Sequence, residues 1–220
     1  MARSPELGEP PDWLPRVSLP IWEADLRAER LFQCFGLRGP LSFNPTSRGR
    51  FNAPSGEYAT TYVSTSIAGA FVETLLQAVP RDPETGRPLI TRSSRGRDRL
   101  QELRGTSAST GRALRLADLR DRGLMVIGAT NELATESSLR RQPLVQRWAL
   151  ALYRHPDRPD GIIYRARHDP ACESLALFDR AIDLLAPIDA VDYLSLPDVL
   201  AGLMERYRVE LIDDRQPFEG

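Results

Sequence analysis

Three side chains in one stretch have the types needed for chemistry on a charged ligand. The stretch is Gly49–Leu75, GRFNAPSGEYATTYVSTSIAGAFVETL, and the residues are Arg50, Tyr62 and Glu73. The planar guanidinium of Arg50 can donate two hydrogen bonds to one phosphate. A carboxylate such as Glu73 can stabilise positive charge that develops in a transition state. Tyr62 offers a ring for stacking and a hydroxyl for donation. Taken singly, each residue also has an ordinary reading. A glutamate on a polar helix face is usually solvated, a loop arginine is usually a surface charge, and a strand tyrosine is usually half-buried packing.

The rest of the composition narrows the chemistry. The chain of 220 residues contains no lysine, so all 29 basic residues are arginine. Schiff-base chemistry, a lysine base and a phosphate-loop lysine are excluded. Phosphate would have to be held by arginine, backbone amides or a metal. Cys34, Cys172, His155 and His168 show no zinc spacing, so no metal is expected. No G-x-G-x-x-G follows a strand, which argues against a Rossmann dinucleotide site. The net charge of −1 lacks the basic excess of a nucleic-acid binder. No apolar run reaches the roughly 18 residues of a membrane helix, and no signal core opens the chain, so a cytoplasmic protein is expected.

The elements that must position these residues follow from pattern. Residues 1–19 hold four prolines and read as an extended arm that wraps the domain formed by residues 20–220. A short helix is expected at Ile21–Glu29 and strands at Leu31–Phe35 and Ala59–Ser64, separated by a loop rich in Pro, Gly, Ser and Asn. Thr65 or Ser66 caps a helix to about Val79, with Ile67, Ala70, Phe71, Leu75 and Ala78 as its apolar stripe. Ser66, Gly69, Glu73 and Gln77 share another face. Arg81–Arg97 reads as loop and Leu100–Leu103 as one helical turn. Strands are expected at Ala113–Leu116, Leu124–Ile127, Gly161–Tyr164, Ser174–Phe178 and Val209–Ile212, and helices at Leu144–Tyr153 and Leu196–Tyr207. The mixture predicts a single α+β domain with a small mixed or antiparallel sheet and flanking helices.

The ordered set of motifs resembles the RES-domain family. It comprises the Gly-Arg-aromatic step at Arg50–Phe51, the turn Pro54–Gly56, the strand tyrosine Tyr62, and Ala70 to Glu73 in the helix. The segments Leu114–Leu133 and Val145–Arg180 extend the likeness to residues 31–180. The resemblance implies a fold like that of ADP-ribosyltransferases. It implies cleavage of the nicotinamide–ribose bond of NAD⁺ by phosphorolysis or hydrolysis, in a toxin paired with a DNA-binding antitoxin protein. NAD⁺ is then substrate, inorganic phosphate a possible co-substrate, and no cofactor is required. Glu73 and Arg50 would be the catalytic pair, with Arg50 on the pyrophosphate and Tyr62 at the nicotinamide.

Two positions depart from the family pattern. Gln33 stands where a first-strand arginine is usual, and Ala166 stands where a serine is usual in a Tyr-x-Ser-Arg-like step. Both belong to the expected substrate-binding set, as does Arg167, and Arg30, Arg38, Arg165 or Arg167 is placed to compensate for lost charge. Glutamine hydrogen-bonds phosphate without charge, and either loss is expected to slow turnover by about 10- to 1000-fold. The double change Gln33→Arg with Ala166→Ser would therefore be expected to speed nicotinamide release. The alternative is a degenerate relative that binds a nucleotide or a partner protein without turnover.

Overall fold

β-Branched and large apolar residues concentrate in a few short runs, and these runs assemble the central sheet. The computed structural model describes residues 6–25, 31–35, 40–46, 49–76, 79–92, 104–110, 112–136, 138–192 and 196–213. Its strands are β1 (Ile21–Ala24), β2 (Leu31–Phe35), β3 (Thr60–Ser64), β4 (Leu89–Arg92), β5 (Arg104–Thr110), β6 (Leu114–Asp118), β7 (Gly161–Arg165), β8 (Glu173–Phe178), β9 (Leu185–Asp192) and β10 (Glu210–Asp213). Eight of them form one sheet in the order β1-β6-β7-β8-β3-β2-β5-β9. Only β6 and β7 run parallel there; the other neighbours are antiparallel. β4 and β10 form a separate parallel pair. The protein is thus a single α+β domain with a mixed sheet.

Side-chain alternation divides the core between the two faces of the sheet. Ile162, Tyr164, Ala176 and Phe178 pack on one face, with Phe51 and Trp148. Val63, Ile163, Leu175 and Leu177 pack on the other, with Leu31, Leu114 and Leu116. Helix α4 (Gln142–Arg154) covers the first face through Val145, Trp148, Ala149 and Leu152. Residues 6–19 lie against the same assembly. Leu7, Leu14 and Leu19 are buried, and Trp148 Nε1 donates to the Gly8 carbonyl at 2.8 Å. Helix α1 (Ile67–Leu75) begins where Ser66 Oγ accepts from Gly69 N at 3.0 Å. It buries Ala70, Phe71 and Leu75 with Ile90 of β4 and Leu203 of α5 (Pro197–Tyr207).

The structure corrects several expectations. Ile21–Ala24 is a strand, because its backbone pairs with β6 from Ile21↔Ala117 to Ala24↔Leu114, which overrides a weak helical pattern. Leu124–Ile127 is not a strand; it lies in and just after helix α2 (Arg122–Val126). Gly123 permits that helix, since a Cβ there would overlap the Asp118 carbonyl oxygen. Helix α1 ends at Leu75, short of Val79. The segment read as loop after Arg81 contains β4, completed only by β10 from far along the chain. Strands β5 and β9 and the four-residue helix α3 (Glu132–Thr135) carried no expectation. Leu100–Leu103, Gln77 and Ala78 lie outside the described residues.

Candidate functional site

The loop before β3 must bring Arg50 to the sheet, and Tyr62 fixes it there. The Tyr62 hydroxyl accepts from Phe51 N at 2.9 Å and donates to Asn52 Oδ1 at 2.9 Å. Asn52 is buried and donates through Nδ2 to the Asn44 carbonyl at 3.0 Å. The Tyr58 hydroxyl donates to the Phe51 carbonyl at 2.9 Å. Gly49 lies against this knot; a Cβ there would sit 2.5 Å from the Tyr62 hydroxyl and 2.8 Å from its ring.

So anchored, Arg50 points its guanidinium at Glu73. Arg50 Nη2 and Glu73 Oε2 are 3.4 Å apart, with side chains only 13% and 9% exposed. Arg50 Nη1 donates to the Ala134 carbonyl of α3. The guanidinium lies 5.2 Å from the Phe51 ring centre and 5.0 Å from that of Tyr164. Glu73 has further donors: the Tyr164 hydroxyl reaches Oε2 at 3.2 Å, and Arg167 N reaches Oε1 at 3.1 Å. Both carboxylate oxygens are therefore oriented by the protein. Burial, then the neighbouring Glu73 charge, raises the Tyr164 pKa well above the ordinary phenol value, so its proton stays available for donation. Burial likewise raises the pKa of Tyr62, partly opposed by its bond from Phe51 N and by Arg50.

Arg50 and Glu73 thus meet, and Tyr62 supports them from below. The hydroxyl of Tyr62 is used within the loop. Arg167 contributes its backbone N–H, while its side chain is exposed. Gln33 is tied into the framework: Nε2 donates to Thr61 Oγ1 at 2.9 Å and to the Tyr62 carbonyl at 3.0 Å, and Oε1 accepts from Leu41 N at 2.7 Å. It supplies cross-strand bonds where the β2–β3 ladder has only the Phe32↔Ser64 pair. Ala166 is buried, and its N donates to the Cys172 carbonyl at 2.8 Å. Ser174 is a buried strand residue whose Oγ has no hydrogen-bond partner among the described residues.

Sequence reasoning missed Tyr164 and the Ala134 carbonyl. Tyr164 has a legible signal, because it shares strand parity with the buried Ile162 and lies two residues before Ala166. A main-chain carbonyl 84 residues from its arginine has no sequence signal. His168, next to Arg167, has its pKa lowered by desolvation and then by Arg167, with Arg81 and Arg50 adding and Glu73 opposing. Among the described residues no group of His, Cys, Asp and Glu could hold a metal ion. No helix of the described residues is long and apolar enough to cross a membrane.

The mixed sheet thus holds an arginine from a loop against a helix glutamate. The chain belongs to the RES domain family, whose model matches residues 21–197. It is similar to a protein of Sinorhizobium fredii described as "Probable toxin y4kH", with 32% identity over 113 residues, 51% of this chain and 86% of the relative. Its fold is similar to a chain of the crystal structure of the M. tuberculosis MbcT-MbcA toxin–antitoxin complex. That likeness has a TM-score of 0.50 at 15% identity and covers 78% of this chain and 84% of the other.

Proposed function

We propose that this protein is the toxin of a toxin–antitoxin pair and degrades NAD⁺ at the nicotinamide–ribose bond. The observation that carries the reading is the Glu73 carboxylate, largely buried and fixed by Tyr164, Arg167 N and Arg50. The C1′–N bond breaks with its electron pair going to nicotinamide, which leaves neutral. Water or inorganic phosphate adds to C1′ and gives up a proton. Positive charge builds on the ribose ring as the bond stretches, and an oriented carboxylate stabilises it without reorganising. Arg50 turns from Glu73 toward the pyrophosphate when substrate enters. The likeness to a probable toxin and to a chain of a toxin–antitoxin complex supports the toxin role and a protein antitoxin as partner.

The test is incubation of purified protein with NAD⁺, with and without phosphate, reading free nicotinamide. Glu73→Gln keeps size and hydrogen bonding but removes the charge. It is expected to cut kcat by at least about 100-fold. Unchanged turnover removes Glu73 from the mechanism.

A second reading, a nucleotide-binding relative without turnover, is favoured by Gln33 and Ala166. Gln33 brings no charge and has its amide satisfied within the protein, and Ala166 has no hydroxyl. ADP-ribose binding without nicotinamide release would establish it.

A further inference from the structure

A cleft of about 490 Å³ has a basic charged lining. Arg81, Arg87, His168 and Arg208 line it together with Leu76 and Tyr207, and no carboxylate does. Among the described residues none of the three arginines has a carboxylate within ion-pair distance. Two nearby acids spend an oxygen on other donors, although Asp82 also feels the Arg87 charge. Asp82 Oδ1 accepts from Glu84 N and Thr85 N, and Asp169 Oδ2 accepts from Tyr207 and Arg206. Arg81 Nη1 donates to the Gly86 carbonyl at 2.8 Å, which ties its guanidinium to the turn that forms one wall.

Two chain connections join this cleft to the Glu73 centre. Leu76 stands three residues after Glu73, within about 6 Å between Cβ atoms when helical spacing holds. His168 directly follows Arg167, whose N–H holds Glu73 Oε1. The electrostatic environment agrees, since His168 feels Glu73 and Arg50 as well as Arg81 of the cleft.

Arg208 adds an independent observation. It is the C-cap of α5 and is left-handed, with φ 51° and ψ 40°. Glycine is the usual residue in that conformation, and a side chain there carries strain. An arginine thus occupies a backbone position that favours glycine, and it lines the cleft.

We propose that the Arg81–Arg87–Arg208 cleft is a phosphoryl-binding site, taking a phosphate group that is either free or carried by a nucleotide. Guanidinium forks suit phosphate oxygens, and cations without carboxylate partners need no ion pair broken to bind them. The site is distinct from Arg50, and its occupancy does not depend on whether the bond beside Glu73 is cleaved.

Calorimetric titration with inorganic pyrophosphate and, separately, with ADP-ribose tests this. The probe variant is Arg208→Gly, with Arg87→Gln as a second. Arg122→Gln with Arg154→Gln is the control, removing two exposed charges elsewhere. Arg208→Gly is expected to weaken pyrophosphate binding at least about tenfold while raising Tm by about 2–4 °C, as backbone strain is relieved. Arg87→Gln is expected to weaken binding without the rise, and the control to change neither. If the natural source is a nucleotide, ADP-ribose competes with pyrophosphate and loses affinity in the same variants. If it is a free anion, the two bind together and only pyrophosphate is affected. Pyrophosphate affinity unchanged in both cleft variants, or reduced equally by the control, overturns the proposal. Failure of nicotinamide release would bear on Glu73 and leave these titrations standing.

Discussion

Gly49→Ala is expected to be among the most damaging single-methyl additions near the site. The new Cβ would lie 2.5 Å from the Tyr62 hydroxyl, 2.8 Å from its ring, and closer still to Asn52 Oδ1. None of these atoms yields freely. Asn52 is buried and bonded at both ends of its amide, and the Tyr62 hydroxyl sits between Phe51 N and Asn52. Overpacking costs about 1–3 kcal/mol, and losing two hydrogen bonds adds about 1 kcal/mol each. The sum is about 3–5 kcal/mol. At about 2–4 °C per kcal/mol for a chain of this size, Tm should fall by roughly 6–20 °C. Gly202→Ala is the internal standard: it lies in α5 with nothing within 4 Å of its would-be Cβ, and should raise Tm by about 1–4 °C. The assay is thermal unfolding followed by circular dichroism. A Gly49→Ala protein within about 2 °C of the parent, less than 1 kcal/mol, would refute the tight knot that is said to aim Arg50.

Tyr164→Phe keeps the ring that packs 4.9 Å from Phe51 but deletes the donor to Glu73, so kcat for nicotinamide release should fall about tenfold with KM nearly unchanged; a pure KM effect would argue against a role through Glu73. Gln33→Arg with Ala166→Ser, attractive from family pattern alone, should lower Tm rather than restore activity. Arginine cannot accept from Leu41 N, and a buried unpaired donor costs about 1–3 kcal/mol; a stable, faster double variant would show that Gln33 is not a structural strut. The imidazole of His168 should titrate below its ordinary value of about 6.5 by NMR, Arg167→Gln should raise the midpoint, and Glu73→Gln should lower it further. Because the folded pKa is depressed, His168's neutral form favours folding above the unfolded value, and stability declines as pH falls below it.

The signature segment and its strand–helix order are legible in the sequence because they are local. Ser66 caps α1, Tyr62 sits mid-strand, and β7 and β8 announce themselves by apolar runs. What stays hidden depends on partners far along the chain. Strand β4 exists beside β10, more than a hundred residues later, and polar β5 is held between β2 and β9. The site divides the same way. Arg50 and Glu73 can be named from their motif, whereas Tyr164 is easily passed over beside the more conspicuous Ala166. The role of Gln33 is unreadable, since a family position cannot reveal that an amide has been absorbed into strand pairing.

The stitching of residues 6–19 onto α4 has a consequence for synthesis on the ribosome. Leu7 N bonds Glu132, Gly8 waits for Trp148, and Leu19 N bonds Asp157, separations of 125 to 140 residues. A stretch made early is therefore among the last to find its place. Glu73 is in a similar position, because Tyr164 and Arg167 are made more than ninety residues after it. A nascent chain that stops before Tyr164 lacks both donors to that carboxylate, and long-range closures of this kind are slow. Any activity that needs these two donors on Glu73 is thus withheld until Arg167 has been made, an interval open to a partner.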